Sequence, residues 1–391
     1  MRDRRRHRDD ARTARGGGRG VGGAVVSLAG VAAALSLVAC SDGASNPPDT
    51  NPEPINKEFT CDLDLDFIAD GNVGRGGIPF LTDPPLVGTD ARDELDYLDD
   101  EDRVAGLFLD GRPIAISLNT LWWHEIVNLN GQEARMAVTL CPLTGSTLAF
   151  DRSAIGGREL SVSGVLFKSN LVMVGVQEDR DRESLWPQML REARCGPATG
   201  TDLGPFRMVE VTWGWWKSRY PGTVTVTGDL PFPNRDWSVY PYGNYKVEDN
   251  GEYHFPVPEN DPRRPPKERS LGLPPVDGDP GIVFPFGALE DQPGKWAVVE
   301  TTYRGEERVV FWSTPARGAM AFDPELDGRR LTFEVTDQGI ADRETGTLWS
   351  VDGRAKAGPL VGESLDPVLE AYVAFWASWA HFFPETRLWT G

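Results

Sequence analysis

Two stretches of this 391-residue chain repeat each other piece by piece, and that repetition restricts the folds open to it. CPLTGSTLAFD at 141–151 matches STPARGAMAFD at 313–323, and GGRELSV at 156–162 matches DGRRLTF at 327–333. DRDRESLW at 179–186 matches DRETGTLW at 342–349, and GPATGTDL at 196–203 matches GPLVGESL at 358–365. TWGWWKSRYPGT at 212–223 meets FWASWAHFFPET at 375–386 with both prolines in register. Offsets of 162 to 172 in unbroken order predict an internal duplication, with a first unit over 59–228 and a second, degenerate one over 229–391. The 43 Gly and 31 Pro interrupt long helices, so each unit is expected to be mainly β with short helices, a β-rich α+β class.

Local patterning fills in the first unit. Alternation predicts a strand over 59–68, a turn at Asp110-Gly111 joins expected strands over 103–109 and 112–117, and further strands are expected over 134–141, 147–151, 159–163 and 171–177. Leu118, Leu121, Trp122 and Glu125 fall at helical spacing, and 212–220 reads as a second short helix stopped by Pro221-Gly222. Asn130-Gly131 signals a hairpin. Centred there, it would set His124 opposite Ala137 and Cys141 opposite Thr120, roughly 13 Å apart on straight strands, unless the helix folds back.

The N-terminus follows other rules. Eight Arg within 2–19, an apolar run over 21–39 and Leu37-Val38-Ala39 before Cys40 resemble a bacterial lipoprotein signal. Residues 1–39 would be the signal peptide, Cys40 the lipidated first residue, and 40–58 a disordered Pro/Asn/Asp-rich tether. The expected address is the extracytoplasmic face of the cell membrane, with the membrane as partner through the lipid. The alternative is an uncleaved membrane anchor, since the 19-residue apolar run could just span a bilayer. Eight Arg and three Asp lie in 1–39, a net of +5, so the formal charge falls from −19 to −24 on processing. Such a surface repels phosphate backbones and argues against nucleic acid as a partner.

Three cysteines remain, Cys61, Cys141 and Cys195, and an odd count leaves one thiol over. Connectivity is not fixed by sequence; the preferred pairing is Cys61 with Cys195.

The two units differ where chemistry could sit. Cys141 aligns with Ser313, and the segment LWWHEIVN at 121–128 has no clear counterpart. That asymmetry singles out Cys141, His124 and Glu125 as candidate catalytic residues, with Asn128, Ser146 and Asn170 as candidate ligand-binding residues. A neutral imidazole can take a proton from a thiol while a carboxylate holds its tautomer. The same Cys and His could instead hold a soft metal such as copper. The plain alternative is a buried Cys acting as a small hydrophobe and a satisfied core His. One shared pocket is expected in the first unit, with Glu125 or Asn128 hydrogen-bonding the site and none around Ser313. The second functional class is a non-catalytic ligand-binding or structural surface lipoprotein, in which Trp122, Trp123, Trp213, Trp215 and Trp216 line a groove or fill the core.

Gly77-Ile78-Pro79, the block His124 through Asn128, Cys141-Pro142-Leu143 with Gly145-Ser146, and Ser169-Asn170-Leu171 together resemble the bacterial and archaeal domain of unknown function 3179. Asp179-Arg180, Leu185-Trp186 with Gln188, and Pro265-Pro266-Lys267 extend the resemblance over about 70–390. It implies a family and no established reaction. Many members read Cys-Pro-Leu-Cys, whereas Thr144 stands here at the second Cys, so a local two-cysteine redox or zinc knuckle is not available. Leu129 likewise stands where an Asp often follows the Asn.

Overall fold

The computed structural model describes residues 61–276 and 278–391. The expected signal peptide over 1–39, the expected lipidation site Cys40 and the expected tether over 40–58 lie outside the described residues. Among the described residues short strands dominate, joined to four short α-helices: α1 (Leu118–His124), α2 (Trp213–Arg219), α3 (Phe286–Glu290) and α4 (Trp376–Phe382). Each begins on the residue after a strand. Ser117 and Thr212 turn strand into helix by accepting the N–H of Thr120 and of Trp215 on their side-chain oxygens, satisfying donors that a helix start leaves free. Among the described residues no helix is long and apolar enough to cross a membrane.

A five-stranded sheet runs in the order Val209–Thr212, Arg103–Leu109, Arg112–Ser117, Val224–Val226, Leu86–Gly88. A nine-stranded sheet carries Ile126–Asn130, Arg135–Cys141 and Ser146–Asp151, then continues through Tyr372–Phe375, Arg269–Leu273, Ile282–Pro285 and Arg387–Leu388. Thr147 pairs with Val373 at the junction, so this sheet draws strands from both expected units. One pairing pattern occurs twice. Val209–Thr212 is antiparallel to Arg103–Leu109, which is antiparallel to Arg112–Ser117, which is parallel to Val224–Val226. Tyr372–Phe375, Arg269–Leu273, Ile282–Pro285 and Arg387–Leu388 follow the same series.

Each series also has one glycine under one tryptophan. A Cβ on Gly106 would stand 2.3 Å from the Trp216 ring, and a Cβ on Gly272 2.3 Å from that of Trp379. Both rings are fully buried, and each lies where only a side-chain-free strand position admits it.

The expected strand over 59–68 is displaced. Asp64 accepts the N–H of Asp66 and caps a single 3-10 turn, Leu65–Phe67, so the described strand is Ile68–Asp70. A disulfide joins Cys61 to Cys195 and leaves Cys141 as a buried free thiol, the preferred pairing.

Candidate functional site

The hairpin below α1 has a different register from the one read at Asn130-Gly131. Asn128 pairs with Ala137 and Asn130 with Arg135, and the turn sits on Gln132-Glu133, closed by the Gly131 N–H on the Ala134 carbonyl. The Asp110 carboxylate accepts the N–H groups of Gln132 and Glu133 and fixes the turn there. Asn130 stays in the strand because Asp83 takes its backbone and side-chain N–H and Arg152 donates to its Oδ1. The four-residue shift brings the end of α1 back beside Cys141. Leu140 N–H donates to the Glu125 carbonyl at 2.8 Å.

Glu125 ends α1 at φ 56°, a left-handed-side conformation that costs a non-glycine residue energy. Its side chain is buried, and burial pushes its carboxyl up to about 8, so it is protonated at neutral pH.

His124 faces a different environment from Cys141. Its Nδ1 lies 2.5 Å from the Pro79 carbonyl, an acceptor, so Nδ1 carries the proton. Arg235 Nη1 lies 3.1 Å from both ring nitrogens, and with the Nδ1 proton directed at Pro79 it is Nε2 that is left to accept from the guanidinium. The ring stacks on Trp237 and meets Phe232 edge-on. Burial, with Arg235 adding to it, pulls the imidazole down to about 4, so it is neutral at physiological pH.

Cys141 sits in the core. Its thiol donates to the Ser169 carbonyl at 3.6 Å and accepts the Leu171 N–H at 3.3 Å. Burial first, and Glu125 second, push it up to about 11. Both hydrogen-bonding atoms of the imidazole and the thiol are therefore committed to separate partners, and the thiol–imidazole pair expected from the sequence is not formed.

Ser146 and Asn170 do come together, but on each other. Asn170 Nδ2 donates toward Thr144 Oγ1, Ser146 Oγ and Gln188 Oε1, while Ser146 donates to Gln188 Oε1 and Gln188 Nε2 to Thr139. All five residues are buried, and these contacts cross-brace three strands, the turn at Thr144 and the Gln188 loop. Thr144, at the position where the second Cys was looked for, belongs to this brace. Asn128 exchanges two hydrogen bonds with the Leu160 backbone, imitating a strand partner. At Ser313 the side chain accepts the Ala316 N–H and caps a turn.

The residues missed by sequence reasoning come from 229–268, which has neither helix nor strand. Tyr240 and Tyr245 donate to the carbonyls of Pro142 and Leu143, directly after Cys141. Arg235 donates to the Trp123 carbonyl, and Lys246 lies over Trp122 at 4.1 Å. Lys267 is buried against Tyr253 and Tyr245, and burial lowers its ammonium to about 8. This strap covers α1 and the Cys141 turn. Three tyrosines within six residues, 240 to 245, and the Pro265-Pro266-Lys267 run of the family resemblance were its legible signals. Among the described residues no group of three or more His, Cys, Asp or Glu side chains is placed to hold a metal ion.

The family model described as Protein of unknown function (DUF3179) matches residues 75–386. Neither curated proteins nor solved structures give a match.

Proposed function

The chain belongs to the DUF3179 family, whose description assigns no reaction, and from its N-terminal sequence and the geometry around Cys141 we propose a lipid-anchored, extracytoplasmic binding protein that does not use its thiol for catalysis. One observation carries this: the thiol of Cys141 and both nitrogens of His124 are hydrogen-bonded to different partners. Nucleophilic cysteines need the thiolate, which electropositive surroundings favour. Here burial acts the other way, leaving only about one part in ten thousand as thiolate at pH 7.

A Cys/His thiol or soft-metal site is the second reading. It is favoured by a single feature, the Glu125 carboxyl acting on the Cys141 thiol, with both acting on Tyr242 of the strap. Elemental analysis of the purified full chain separates the two. The expected result is no copper or zinc near one per chain. Stoichiometric metal that disappears in both Cys141→Ser and His124→Ala would overturn the binding reading.

The anchor is supported by the basic, apolar and Leu-Val-Ala-Cys series before the tether. Cys40→Ser is expected to move the protein from the membrane fraction to the soluble one or to block its processing. Normal processing with full membrane retention would contradict lipidation. Two duplicated units remain our reading of the repeated segments, supported by the recurring strand series and by the Gly106/Trp216 and Gly272/Trp379 pairs.

A further inference from the structure

A cavity of about 310 Å³, lined by none of the residues around Cys141, lies between the five-stranded sheet and residues of the C-terminal half. Its size is at the lower end for small-molecule sites. Phe108 lines it from the sheet, Trp216 from α2, Phe206 and Met208 from the approach to Val209–Thr212, and Met320 from the other side. Arg207, Arg354 and Asp352 are its charged members.

The polar groups are unevenly matched. Asp352 is buried and already well supplied: Ser350 and Tyr220 both donate hydroxyls to its carboxylate, and Arg354 Nε stands 3.7 Å away. Arg207 donates to the Asp352 backbone carbonyl at 2.7 Å rather than to a carboxylate. Arg354 lies over the Phe108 ring at 4.0 Å. The cavity thus carries two guanidinium groups and one carboxylate, which of the two only Arg354 approaches. Burial and then the charge of Arg354 weaken the hold of Arg207 on its proton, with Asp352 opposing and the exposed Asp366 the last of the opposing charges. An adjoining cavity shares residues 205–209, Met320 and Leu369 and adds Arg191, whose buried Nη1 has no hydrogen-bond partner, together with the carboxylates of Glu210 and Glu370. A cationic, aromatic-walled pocket on a chain of net charge −19 runs against the overall field.

We propose that this cavity binds a small organic anion with a flat apolar body, its carboxylate held by Arg207 and Arg354 and its ring against Phe108 and Trp216. Planar guanidinium groups suit a carboxylate because they donate two parallel N–H bonds, and an aromatic wall takes the flat apolar part. The inference rests on the binding reading and adds the ligand's class to it.

The test titrates the full chain with benzoate, benzyl alcohol and benzylamine by saturation-transfer NMR, on the unmodified protein and on Arg207→Gln and Arg354→Gln. Benzoate is expected to bind at least about tenfold more tightly than benzyl alcohol, with benzylamine excluded, and either substitution should lose about tenfold or more, as charged hydrogen bonds of this kind are worth. The three-probe series on the unmodified chain decides the matter even if a variant does not fold. Equal binding of benzoate and benzyl alcohol overturns the anion assignment while leaving a binding protein. Benzoate binding unchanged in both folded variants overturns this cavity as the site. No binding of any probe overturns the assignment of this ligand class, and the elemental analysis tests the broader reading separately.

Discussion

Glu210→Ala is expected to destabilise the fold by about 3–5 kcal/mol, the range for removing one member of a buried ion group. Glu210 lies on Val209–Thr212 with its side chain fully buried, Arg103 Nη1 is 3.0 Å from its carboxylate, and Arg269 Nη2 bonds it at 2.5 Å. Arg103 comes from the five-stranded sheet and Arg269 from the nine-stranded one, so this carboxylate ties the two sheets together. Burial alone would raise its pKa, but Arg269 and Arg103 outweigh that and hold it below the usual carboxylate range. Alanine would leave two guanidinium groups side by side without their counter-charge. Replacing all three together by Met or Leu is expected to recover most of the loss, because the desolvation cost leaves with the charges. Denaturant unfolding of the single and triple variants measures both. A loss below about 1 kcal/mol in Glu210→Ala would mean that the ion group carries no stability.

Glu125→Gln is expected to act in the opposite direction, and only as pH rises. Glu125 has no cationic partner; burial alone raises its carboxyl from the ordinary 4.5 to about 8. Between those values the folded chain keeps a proton that the unfolded chain releases, so stability falls as pH increases through the window and the full penalty is present above about 8. At about 1.4 kcal/mol per unit, the penalty reaches the order of a few kcal/mol by pH 8. Glutamine cannot ionise and escapes it. Urea midpoints of the native chain and the Glu125→Gln variant should therefore coincide near pH 4.5 and separate at pH 8, with the variant more stable. A difference that is the same at both pH values would show that Glu125 does not titrate as its burial requires.

The fold was legible where turn and stop signals bracket apolar runs. The strands over 103–109 and 112–117 were read as apolar runs either side of the Asp110-Gly111 turn, and they are buried in unbroken runs rather than on one face; the helix at 118 was read from apolar spacing and the one at 213 from the Pro221-Gly222 stop. The hairpin register was not legible. Asn130-Gly131 carries the right turn chemistry, but Asp83, Arg152 and Asp110, all distant in sequence, decide where the turn falls. The candidate site was half legible. Composition and asymmetry drew attention to His124, Glu125 and Cys141, and the chain does bring Glu125 and Cys141 near each other. What each group does depends on Arg235, Tyr240 and Tyr245, from a strap whose irregular backbone leaves no period to read. Arg207 and Arg354 meet across 147 residues, and no local pattern announces that.

The buried, unreactive state of Cys141 governs how its alkylation rate depends on pH. In the native full chain, iodoacetamide is expected to leave Cys141 unmodified over hours at pH 7, with slow labelling appearing only toward pH 10 and above; in denaturant without reductant, the same residue should label rapidly, since Cys61 and Cys195 are paired. His124→Ala should leave the native profile unchanged, because the imidazole and the thiol bond to separate partners. Rapid native labelling at pH 7 that slows on His124→Ala would contradict the account and restore the thiol–imidazole pair.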